Sequence, residues 1–208
     1  MEAATAAHAE DHGHDDHGHM PVANASAKIN RELFGMMLFI GSELMLFGSF
    51  FTAYFFIRVV QGEPWLPKGQ ELPVYVALAN SAILLSSSAT MHWALEGVKH
   101  NNRKALKLGM VLTIFLGATF LGIQISEYWH LGFLPKASAQ ASVFFSLTGL
   151  HGAHVAVGLI ILSVVARRAF KGHYGPKKED HWGVEIPGLY WHFVDVMWIF
   201  VFTSLYVL

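Results

Sequence analysis

Five apolar stretches divide this chain, at about 32–60, 72–99, 105–130, 139–168 and 185–208. At about 1.5 Å of rise per residue, each is long enough as a helix to cross roughly 30 Å of hydrocarbon. Breakers stand between them: Gly62, Pro64, Pro67 and Pro73 after the first, Asn101 and Asn102 after the second, Pro135 after the third, Gly172, Gly175 and Pro176 after the fourth. With 53% hydrophobic and only 14% charged residues, the 208-residue chain is too apolar for an ordinary soluble domain. The expected fold is an all-α, polytopic membrane protein of five transmembrane helices.

Charge fixes an expected orientation. Lys28, Arg31, Lys99, Arg103, Lys104, Lys107, Arg167, Arg168, Lys171, Lys177 and Lys178 fall at one set of span ends, and only Arg58, Lys68 and Lys136 at the other. Positively charged loops are retained on the cytoplasmic side, so the N-terminus is expected in the cytoplasm and the C-terminus outside. Trp65, Trp129 and Trp182 lie near span ends, where amphipathic indoles meet headgroups. A formal net charge of −1 with no basic face argues against a nucleic-acid partner. With no cysteine there is no disulfide, thiolate-held copper, iron–sulfur centre or c-type haem attachment.

Residues 1–30 lack the basic-then-apolar layout of a cleavable signal, so the first span is expected to remain in the mature protein. They carry His8, His12, His14, His17 and His19 among Glu10, Asp11, Asp15 and Asp16. Such a polar, low-complexity segment is expected to be a disordered tail with weak, adventitious metal affinity, followed by a transmembrane domain over 31–208. The spans are rich in small residues, among them Gly41, Gly48, Ser86, Ser87, Ser88, Ala89, Gly149, Gly152 and Gly158. These allow close helix approach where lipid supplies no hydrophobic drive for association.

The intramembrane polar residues carry the functional information. Glu43 lies about twelve residues into the first span, roughly 18 Å from its cytoplasmic edge. A carboxyl group there costs a few kcal/mol unless it is neutral, paired or wet. A protonated Glu bonded to one neighbouring helix satisfies this as well as a functional acid does. His151 and His154 share a face of the fourth span, and His154 comes close to the depth of Glu43, which allows a contact between spans one and four. In the fifth span His192 and Asp195 are spaced i,i+3, with Trp191 and Trp198 at i−4 and i+3 from the acid. That face is expected to look inward as a polar clamp. His92 in the second span lies at about the depth of His192. Glu127, near the outer end of span three, is placed where water or headgroups reach it. Histidine pairs from two helices can hold a b-type iron, but an i,i+3 pair on one helix cannot supply both axial ligands. No metal site is assigned.

Three segments resemble subunit III of the haem–copper oxidases, in its short five-helix form: Gly41-Ser42-Glu43-Leu44-Met45-Leu46-Phe47, Gly149-Leu150-His151-Gly152-Ala153-His154-Val155, and Tyr190-Trp191-His192-Phe193-Val194-Asp195-Val196-Met197-Trp198. Gln124 through Tyr128 is a weaker fourth. The resemblance runs from about Arg31 to the C-terminus and implies a bacterial inner-membrane accessory subunit with no catalytic residue and no redox centre of its own. The haem and copper would reside in the partners, subunits I and II. It also implies structural phospholipid in a cleft, support of subunit I stability and proton uptake, and membership of a respiratory chain with scope for larger supercomplexes. By resemblance Glu43, with His151 and His154, belongs to the lipid-cleft region, and His92, Glu127, His192 and Asp195 are polar contacts. The Ser-Glu motif favours cytochrome c over quinol as electron donor. A nitric oxide reductase accessory subunit and a stand-alone proton or solute carrier are the alternatives. The carrier reading is weakened by the lack of an internal repeat or a span broken at its midpoint.

Overall fold

The computed structural model describes residues 31–61, 73–132, 134–174 and 178–208. The expected His-rich tail, and the breakers Gly62, Pro64, Pro67, Gly175 and Pro176, lie outside the described residues. Five long helices account for nearly all of the rest: α1 (Arg31–Gln61), α2 (Val74–Lys99), α3 (Arg103–His130), α4 (Ala139–Phe170) and α5 (Lys178–Phe202). All five are long and apolar enough to cross a membrane. A 3₁₀ turn, Pro135–Ala137, precedes α4, and a π-helical turn, Thr203–Val207, continues α5.

The helix ends follow from local chemistry. Between α2 and α3 the chain turns within a few residues, using Asn101 at φ +53°, a left-handed conformation that asparagine tolerates. Asn102 then caps α3 by accepting a hydrogen bond from the Ala105 N–H at 3.2 Å. Ser138 does the same for α4, accepting from the Ala141 N–H at 3.0 Å. The hairpin closes tightly because Gly97 and Gly109 have no side chain. A Cβ at Gly97 would lie 2.7 Å from the Leu106 nitrogen, and one at Gly109 2.9 Å from the Thr90 carbonyl.

α5 begins earlier than the apolar stretch suggests and carries Pro187 within it. Proline has no N–H, so the Gly183 carbonyl four residues before it loses its helical partner. The Tyr174 hydroxyl, in the α4–α5 connection, donates a long 3.5 Å hydrogen bond to that carbonyl. Burial pushes the Tyr174 hydroxyl up from its ordinary value, with Arg168 opposing, so it stays a donor. Gly183 makes room for the ring, since a Cβ there would meet Tyr174 Cε1 at 2.7 Å.

α5 is the central element, packed against α1, α2 and α4, with α3 closing the bundle between α2 and α4. Trp191 shows why glycine is needed at the crossings. Its indole lies between Gly117 of α3 and Gly158 of α4, where added Cβ atoms would stand 2.6 and 2.9 Å from the ring. The indole N–H donates to Ser87 Oγ at 3.0 Å, and one helical turn pair further on Trp198 donates to Ser81 Oγ at 2.8 Å. Each serine also donates to its own helix, Ser87 to the Leu84 carbonyl and Ser81 to the Ala77 carbonyl. Ser87 was legible only as a small residue for close packing, and Ser81 carried no signal in the sequence. They also complete the hydrogen bonding of two buried indoles, which matters where no water can do so.

α1 is attached differently. It packs mainly against α4 and α5 and leaves most of its surface outward. At its C-terminal end the buried Tyr54 hydroxyl donates to the Ser204 carbonyl, while Arg58 donates to the Tyr54 hydroxyl and to the Leu208 main-chain oxygen. A guanidinium at the carbonyl end of α5 complements unsatisfied acceptors and the helix dipole. Arg58→Ala is expected to cost about 1.5–3 kcal/mol, the scale of a hydrogen bond to a charged group. Amide exchange should then quicken in the last turns of α1 and of α5 and stay unchanged in the α2–α3 hairpin.

Candidate functional site

Glu43 and His154 meet. Glu43 Oε2 lies 2.7 Å from His154 Nε2, joining α1 to α4 well inside both apolar segments. Both side chains are mostly enclosed, with 15% and 13% of their surface exposed. The other ring nitrogen, Nδ1, lies 2.7 Å from the Leu150 carbonyl oxygen. A carbonyl only accepts, so Nδ1 carries a hydrogen and donates it. One further proton then lies between Nε2 and Oε2. Either the acid donates to a bare Nε2, or an imidazolium donates to a carboxylate. Both arrangements are neutral as a pair, which removes the cost of a lone charge at this depth.

Aromatic rings build the walls of the pair. Phe47 of α1, one turn after Glu43, packs on the His154 ring with centroids 5.1 Å apart. Tyr190 of α5 donates from its hydroxyl to the His154 carbonyl at 3.3 Å, and its ring lies 6.0 Å from that of Phe39. The arrangement can hold one exchangeable proton at a fixed depth and can tie α1 to the rest of the bundle.

His151 does not join this pair. It is fully enclosed in the core, its ring 4.7 Å from Trp198 and edge-on to Phe120 at 5.8 Å, and neither nitrogen has a hydrogen-bond partner within the bundle. Residues three apart on a helix differ by about 60° in direction, enough for one to face α1 and the other the interior. The polar clamp expected within α5 is also organised otherwise. Trp191, Asp195 and Trp198 do face inward, yet both indoles bond to α2 serines rather than to the acid. His192 Nδ1 pairs with Ser88 Oγ at 2.6 Å. Asp195 is buried beside Ser88, with neither carboxyl oxygen in a hydrogen bond of good geometry. His92 lies near His192 but on the outside of the bundle.

Glu127 is more enclosed than its position near a span end suggests, with 8% of its surface exposed. It belongs to a polar group near the C-terminal end of α3 with Gln124, Tyr128 and Tyr206, in which the Tyr128 hydroxyl donates to Thr148 Oγ1 at 2.9 Å. Tyr206 and Thr148 were not singled out beforehand. A lone tyrosine or threonine in an apolar stretch carries no signal until its neighbours across the bundle are known.

These residues stand within segments that known proteins share. The family model described as Cytochrome c oxidase subunit III matches residues 21–208. The chain belongs to the cytochrome c oxidase subunit III family. Cytochrome c oxidase subunit 3 of Thermostichus vulcanus is 40% identical over 84% of this chain and 86% of its own length. The protein of the same name from a Synechocystis species is 40% identical over 96% of this chain and 80% of its own. A vertebrate relative, cytochrome c oxidase subunit 3 of Gallus gallus, is 40% identical over 83% and 68%. Family membership thus spans the whole five-helix bundle, including both partners of the Glu43–His154 pair.

Proposed function

We propose that this chain is the accessory third subunit of a bacterial cytochrome c oxidase and takes no bond-making part in oxygen reduction. It lies in the inner membrane with its N-terminus cytoplasmic, against the subunits I and II that hold haem and copper. The observation that carries this reading is the use to which the bundle puts its polar side chains. His154 has one ring nitrogen on a backbone carbonyl and the other on Glu43, and His192 Nδ1 is engaged by Ser88. His154 and His192 thereby serve to join helices, while His151 is closed off in the core against Trp198 and Phe120. Among the described residues, no group of three or more His, Cys, Asp or Glu comes together as a metal site would.

In this reading Glu43 and His154 border a lipid-filled groove beside α1 and, with structural phospholipid there, support sustained proton uptake by subunit I. Cytochrome c is the donor, in keeping with the names of the relatives. Extraction of the tagged chain in mild detergent tests this. Haem bands and copper are expected in the co-purified material, residing in a larger polytopic partner. A colourless chain running alone, under conditions that preserve other respiratory complexes, would overturn the proposal and favour a carrier.

A further inference from the structure

The outward face of α1 carries chemistry that helix packing does not use. Met45 has 80% of its surface exposed and Met37 60%, whereas Met91 of α2, Met110 of α3 and Met197 of α5 are sealed in the core at 4% or less. A thioether is a soft two-electron reductant, and its oxidation follows exposure. Met45 lies about 14 residues into α1, roughly 21 Å from its start, and so stands in the hydrocarbon layer.

Met45 also has protic neighbours. Ser42 and Ser49 stand three residues before it and four after it, which puts both hydroxyls on its face of the helix. Both serines are exposed. Each donates its hydrogen to a carbonyl of its own helix, Ser42 to Phe39 and Ser49 to Leu46, both at 2.7 Å, and keeps lone pairs with which to accept. Approach from the bilayer is open, since a Cβ at the neighbouring Gly41 or Gly48 would meet no atom within 4 Å. Met37 lacks this setting, because Phe34 and Gly41 occupy the same spacings around it. Glu43 lies about 160° away around the helix, so its pair with His154 is separate.

We propose that Met45, with Ser42 and Ser49, reduces organic hydroperoxides dissolved in the bilayer. The hydroperoxide donates its O–H to a serine hydroxyl, which brings its terminal oxygen to the Met45 sulfur. Sulfur attacks that oxygen and the O–O bond breaks. The hydrogen on the transferred oxygen passes to the serine Oγ, and the serine's own hydrogen passes to the departing alkoxide. One thioether becomes a sulfoxide and one hydroperoxide becomes an alcohol, with no further reactant. The sulfoxide is restored by methionine sulfoxide reductases. The site needs only the exposed face of α1 and stands independently of the oxidase reading.

The test reconstitutes the purified protein, in the assembly with which it is extracted, into bilayers of saturated phosphatidylcholine and adds cumene hydroperoxide. Peptide mass spectrometry then follows sulfoxide formation at each methionine. Met45 is expected to oxidise at least about tenfold faster than Met91, Met110 and Met197, and faster than Met37. Replacing both serines, Ser42→Ala with Ser49→Ala, should slow Met45 about fivefold, the scale of one hydrogen bond, and leave Met37 unchanged. In Met45→Leu the yield of cumyl alcohol should fall by about one equivalent per assembly, the stoichiometry of one thioether. Protection of Met45 to the level of the buried methionines, or a rate at Met45 unchanged by loss of both hydroxyls, would overturn the proposal. Should the serine variant fail to assemble, the wild-type rate at Met45 against those at Met37 and the buried methionines decides it.

Discussion

Trp191→Ala is expected to lower the stability of the bundle by about 3–5 kcal/mol, the range for removing a large buried aromatic. The indole is fully buried and wedged between the backbones of α3 and α4 at Gly117 and Gly158. Alanine would open a cavity at the place where three helices meet and leave Ser87 without its donor. The surrounding helices cannot close the gap without moving α5, which also holds Trp198 and Tyr190. Gly158→Val should do comparable harm by the opposite route, because a Cβ there lies 2.9 Å from the same ring. Thermal unfolding of the purified assembly, read by loss of the co-purifying subunits, measures both. Trp129→Ala is the control, since that indole is 84% exposed and should change stability by no more than about 0.5 kcal/mol. Equal effects at Trp191 and Trp129 would mean that the three-helix crossing contributes little.

The second large effect is expected at Glu43. Glu43→Gln keeps a group that can donate to His154 Nε2, so α1 should stay attached and assembly should proceed. It removes the acid, and with it the exchangeable proton of the pair. Initial oxygen consumption should remain within about twofold, while the number of turnovers before inactivation falls roughly tenfold, equivalent to about 1.4 kcal/mol. Glu43→Leu is expected to do more, because it leaves Nε2 enclosed without a partner at a cost of about 1–3 kcal/mol. That cost should appear as weaker retention of α1. A double substitution with His154→Phe should then be less damaging than the two single effects added, as neighbours in one hydrogen bond are coupled. Loss of all oxygen reduction at the first turnover in Glu43→Gln, with normal haem content, would show that the acid belongs to the reaction itself.

The sequence by itself determined the number of helices and nearly all of their ends. Backbone groups in hydrocarbon must be satisfied locally, so length and apolarity are enough to mark a spanning helix. The same local chemistry made Asn101 and Asn102 legible as a turn. α5 begins before the expected 185 because the residues ahead of it are polar and carry no apolar signal, and the Tyr174 hydroxyl that substitutes for the N–H lost at Pro187 arrives from a different element. The cost of a mid-membrane acid singled out Glu43, and helix rise placed His154 at its level.

Only the tertiary structure decided which of the two histidines meets the acid, which serines receive the indoles of α5, and that Glu127 is enclosed. The physical reason is common to all three. A soluble helix announces its inward face by amphipathicity, but in a bilayer the lipid is as apolar as the core, and the contrast that would orient each helix is absent. Facing is then settled by close packing and by hydrogen bonds between helices, such as Trp191 to Ser87 and Glu43 to His154, and those partners stand 104 and 111 residues apart in the chain.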